Sequence, residues 1–96
     1  MIDRARAERT VAEKALGLAP GEGLRASCFK RDRSVCVLRT GEDRFVVQED
    51  GFRKENLESD GAGLPKLLKK CFRREFPRSN KLHLDTVPAA GSEGGA

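Results

Sequence analysis

The chain has 96 residues, 38% hydrophobic and 35% charged, with a formal net charge of +4. That size allows one hydrophobic core and no second domain, and the absence of any apolar run of about 18 residues excludes a membrane-spanning helix. Five Phe with no Trp or Tyr leave the core to Leu, Val and Phe, and a core this small supports about 5–10 kcal/mol of net stability.

The N-terminal segment, MIDRARAERTVAEKALGL, is Arg-rich but has no continuous apolar stretch and carries Asp3, Glu8 and Glu13. Both secretory and organellar signals are therefore disfavoured. Three cysteines, an odd number without a secretion signal, imply reduced thiols and a cytoplasmic setting. The first helix is expected from about Asp3, acting as its cap, to Leu16, where Gly17 and Pro20-Gly21 stop it. Its stripe of Ala7, Val11, Ala15 and Leu18 permits close but weak docking.

A strand meander follows. Leu24 to Arg31, Ser34 to Thr40 and Arg44 to Glu49 read as three strands, with a two-residue Gly41-Glu42 hairpin joining the last two. That register puts Leu38 opposite Phe45 and Cys36 opposite Val47. An Arg31-Asp32-Arg33 turn then adds Cys28 opposite Cys36. The expected core face is Leu24, Ala26, Cys28, Cys36, Leu38, Phe45 and Val47. The other face would hold Phe29, Val35, Val37 and Val46, apolar enough to need a cover from a helix or a second subunit. Asp50-Gly51 turns the chain, and Phe52 to Glu58 is at most a short edge strand.

Asp60-Gly61-Ala62-Gly63 leads into the segment that stands out most, LPKLLKKCFRREFPRSNK. Pro65 suits the first helical turn and Pro77 ends the helix near Phe76. Leu64, Leu67, Leu68, Cys71, Phe72 and Phe76 form a helical apolar stripe. The same 18 residues carry Lys66, Lys69, Lys70, Arg73, Arg74, Arg78 and Lys81 against one acid, Glu75, whereas the remaining 78 residues are slightly acidic. A final strand, Lys81 to Val87, precedes a Gly/Ser/Ala tail expected to be disordered over residues 89–96. The whole reads as one α+β domain over residues 1–88, in the order α-β-β-β-(β)-α-β, an antiparallel sheet with helices packed on it.

Two readings of the cation-rich helix stand side by side. It is either a solvated face that keeps the protein soluble, its cations near the favourable C-terminal dipole, or a footprint for a polyanion. The second makes Lys66, Lys69, Lys70, Arg73, Arg74, Arg78 and Lys81 the expected nucleic-acid-binding set, with salt-sensitive, sequence-independent affinity for RNA or single strands. Scarce aromatics weigh against stacking on single strands, because only Phe29 and Phe52 are candidates for exposure. The competing function is a protein-interaction module, a homodimer included, that uses the apolar sheet face.

Cys28, Cys36, Cys71 and His83 are the only residues with metal-ligand chemistry in suggestive number, but no CxxC pair occurs and all three cysteines suit core positions. No metal and no cofactor is expected. A single His, no Tyr and no glycine-rich phosphate loop give no recognisable catalytic set, so an enzyme is not expected. The acidic run Glu49, Asp50, Glu55 and Glu58 is expected to offset Arg53 and Lys54.

The order helix, three-strand meander, helix resembles that of the double-stranded-RNA-binding domain, with Lys69-Lys70 nearest to the lysine pair that opens that family's second helix. Four strands followed by a basic helix is similar to purine-rich-element-binding repeats. Each resemblance implies nucleic-acid binding, and neither has a place for the strand at Lys81 to Val87.

Overall fold

A computed structural model describes residues 2–30, 32–51, 54–77 and 80–87. Among these residues eight elements follow one another: β1 (Ile2–Asp3), α1 (Arg4–Ala15), β2 (Gly23–Ser27), β3 (Ser34–Gly41), β4 (Arg44–Asp50), β5 (Lys54–Ser59), α2 (Leu64–Glu75) and β6 (Lys81–Val87). The α+β class and the element order agree with the sequence reading, to which the structure adds the two-residue β1. The six strands form one antiparallel sheet in the order β1-β6-β2-β3-β4-β5. The strand at Lys81–Val87, foreign to both resembled families, lies inside this sheet between β1 and β2. The expected tail falls outside the described residues.

Both helices share one face of the sheet. Ala7, Val11 and Ala15 of α1 and Leu64, Leu68, Cys71 and Phe72 of α2 are buried against Leu24, Ala26, Val35, Val37, Phe45, Val47 and Leu82. Phe72 and Phe76 meet edge to face at 5.3 Å between ring centres, a favoured aromatic geometry. Small alanines let α1 approach closely, as its sequence implies. Asp3 makes no side-chain cap to α1, contrary to expectation; its backbone pairs with Lys81 instead. Arg39 closes the other end of α1, donating to the carbonyls of Leu16 (3.2 Å) and Leu18 (2.6 Å) while its guanidinium lies over the Phe45 ring. One arginine thereby satisfies helix-end carbonyls that would otherwise lack partners.

The parity of β3 is the main correction. The β3–β4 turn is Glu42-Asp43, not Gly41-Glu42, and the register shifts between Arg39 and Gly41. Val37 therefore pairs with Val47, Leu38 with Val46 and Cys36 with Gln48. A one-residue slip sends every side chain of a strand to the other face. Val35 and Val37 thus belong to the core, and Cys36 and Leu38 lie on the open face with Val46. Cys28 and Cys36 are not opposite each other either; Cys36 faces Arg25, and a six-residue loop, 28–33, links β2 to β3. The inward residues Leu24 and Ala26 of β2 and Phe45 and Val47 of β4 agree with expectation, although β2 ends at Ser27 and not at the expected Arg31, leaving Cys28 in the loop. The two-sided apolar sheet of the sequence reading shrinks to a small patch.

Candidate nucleic-acid interface

Helix α2 orders the cations. Leu64, Leu68, Cys71 and Phe72 point to the core, so Lys66, Lys69, Lys70 and Arg73, at i, i+3, i+4 and i+7, share the outward face. All four are exposed. Together with Arg74 they line a shallow, open surface depression. None of these four pairs with a carboxylate among the described residues.

Arg74 has a different environment. It turns toward the sheet, where Nε donates to Glu49 Oε2 at 3.0 Å and Nη2 to Glu49 Oε1, with Glu55 at 3.8 Å. The Glu49 side chain is fully buried. Burial opposes its ionisation, but the bonds and charge of Arg74, together with the Cys71 thiol as a donor, outweigh it and hold its carboxyl below the usual range. The same contacts push Arg74 upward, through the Glu49 hydrogen bond first. Burial and the nearby Glu49 charge push the Cys71 thiol up to about 12, which keeps it a neutral donor. Glu75 is buried, and Gly51 packs against it so closely that a Cβ there would come within 2.5 Å of Oε1. Glu49 and Glu55 thus both answer Arg74 on the neighbouring helix; Arg53, which the acidic run was expected to offset together with Lys54, lies outside the described residues.

Of the seven expected site residues, the structure brings Lys66, Lys69, Lys70 and Arg73 together and turns Arg74 inward. Lys81 lies on β6 at the edge of the sheet's open face, away from the cation row. Arg78 lies outside the described residues. Arg33, in the loop before β3, points its Nη1 toward the Glu75 carbonyl at 3.5 Å, so that loop and the last turn of α2 occupy one end of the molecule.

On the uncovered face, strand pairing sets the side chains in rows. One row is Val87, Gly23, Leu38, Val46 and Glu58; the next is Asp85, Arg25, Cys36, Gln48 and Asn56; the third is His83, Ser27, Ser34, Asp50 and Lys54. Leu38 folds over Gly23, where a Cβ would lie 2.5 Å from its Cδ2. Of the four residues expected to need a cover, Val35 and Val37 have one, Val46 is half-buried, and Phe29 stands in the loop after β2 with 73% of its surface exposed. The ligand-type residues are split by the sheet: Cys28 and Cys71 are buried among the core, whereas Cys36 and His83 lie on the open side. Among the described residues no His, Cys, Asp and Glu cluster could hold a metal ion, and no helix is long and apolar enough to cross a membrane. No family model matches the chain, nor does any curated protein or solved structure.

Proposed function

We propose that the chain binds nucleic acid, without sequence choice, through the outward face of α2. The observation that carries this reading is the row Lys66, Lys69, Lys70 and Arg73, exposed and without carboxylate partners among the described residues. A row of cations spaced along a helix neutralises successive phosphates and releases their counterions, so affinity falls as salt rises. Four phosphate contacts on a single strand correspond to a log–log salt slope of about −3. Arg74 contributes less, because its guanidinium already serves Glu49.

A polarisation titration of labelled RNA and DNA oligonucleotides across salt tests the reading. Lys69→Glu with Lys70→Glu should weaken every sequence alike and flatten the slope by about 1.5, whereas binding that ignores salt, or no binding at low salt, overturns it. A second reading, assembly through the open sheet face, draws on the uncovered Leu38, Val46 and Val87. Light scattering distinguishes it: this reading calls for a dimer that Leu38→Asp dissociates.

A further inference from the structure

The exposed Phe29 is out of place on the outside of a domain with so few aromatics, and its surroundings give it a use. Ser27 pairs with His83 on the open face; Phe29, two residues on, keeps that side, and its ring stacks beside the His83 imidazole at 6.3 Å and 24°. Lys81 shares the His83 side of β6 by the two-residue strand period, and Lys30 follows Phe29 in the exposed loop. Next to this ring pair the sheet is hollowed by a depression of about 350 Å³ lined by Arg25, Ser27, Ser34, Cys36, Gln48 and Asp50, near the lower limit for small-ligand sites.

We propose that Phe29 and His83 form a stacking platform for an unpaired nucleobase, whose edge is read by the polar side chains of the adjoining depression. The inference rests on the nucleic-acid reading of α2 and narrows it to single strands. Arg25 supplies donors, Gln48 both donors and acceptors, and the serines hydroxyls of either sense, the mixture that a base edge requires. Asp50 disfavours a phosphate in the same depression, so phosphates belong beside Lys30 and Lys81, and the base belongs inside. A duplex keeps its ring faces stacked on one another and offers none to Phe29, whereas every unpaired base carries one. The loop that holds Phe29 also holds Arg33, which meets the last turn of α2. The row Lys66, Lys69, Lys70 and Arg73 and the platform lie on opposite sides of the sheet, so a strand that serves both passes around the end of the molecule where this loop adjoins α2.

The absence of Trp and Tyr makes the test direct. A Phe29→Trp variant carries a single indole whose emission reports stacking. Three probes are compared at low salt: an oligouridylate, an abasic strand of equal length and an RNA duplex. The oligouridylate should bind about tenfold tighter than the abasic strand and quench the Phe29→Trp emission, while the abasic strand and the duplex leave the emission unchanged. Phe29→Ala should erase the tenfold ratio with no change toward the abasic strand; Lys69→Glu with Lys70→Glu should weaken both strands together. Equal affinity of the wild-type chain for both strands, or an unquenched indole on the bound oligouridylate, overturns the platform and leaves the polyanion reading in place. Failure to bind any of the three overturns both.

Discussion

Lys70 and Arg74 are one turn apart on α2 and serve different ends. Lys70 stays on the outward face, whereas Arg74 donates to a buried carboxylate on β4. Because the folded Glu49 is held below its ordinary value, its bonds stabilise the fold fully above the unfolded carboxyl value of about 4.3. That contribution is lost as pH falls through the lower folded value. Glu49→Gln should therefore melt below wild type at neutral pH and lose less on acidification, so that the two thermal curves converge as pH falls below the ordinary carboxyl value of about 4.3; parallel curves would dissociate Glu49 from acid sensitivity. Helical spacing alone made Lys66, Lys69, Lys70 and Arg73 legible in the sequence as one face. The capture of Arg74 was not legible, because Glu49 lies 25 residues away on another element and only the sheet register sets it under the helix.

At the scale of the elements, β3 carries the clearest lesson. Val35, Cys36, Val37 and Leu38 are all apolar enough for a core, so composition cannot say which pair faces inward; the turn decides. Glu42-Asp43 as the loop, with an irregularity before Gly41, shifts the pairing by one. The existence and chain order of β2, β3, β4 and β6 and the ends of α2 were readable because Gly, Pro and Asp-Gly signals bracket them, whereas the two-residue β1 was not. The consequence is an unequal pair of substitutions. Val37→Asp places an unpaired charge in the core and should cost about 3–5 kcal/mol, whereas Leu38→Asp on the open face should cost about 1 kcal/mol or less. Urea denaturation of the two variants measures both, and equal losses would contradict the register.

Across the whole molecule, the decisive arrangement is the place of β6 between β1 and β2. Its local pattern, with Leu82 and Leu84 inward, was visible in the sequence; its neighbours were not, since pairing between distant segments leaves no local mark. A chain shortened to end before Lys81 loses the strand that pairs with both β1 and β2 and uncovers Ala26 and Leu24. It should lose its cooperative thermal transition, seen as a broad, sloping melt by circular dichroism. A sharp transition in that fragment would mean that β2 to β5 with the helices fold unaided. The arrangement also bears on biosynthesis. Residues leave the ribosome at roughly 5–20 per second, and five of the six strands emerge before the one that seals β2. Until then the nascent sheet carries a raw border able to zip onto a neighbouring polypeptide, so crowded polysomes and high expression are where this protein is most exposed to misassembly.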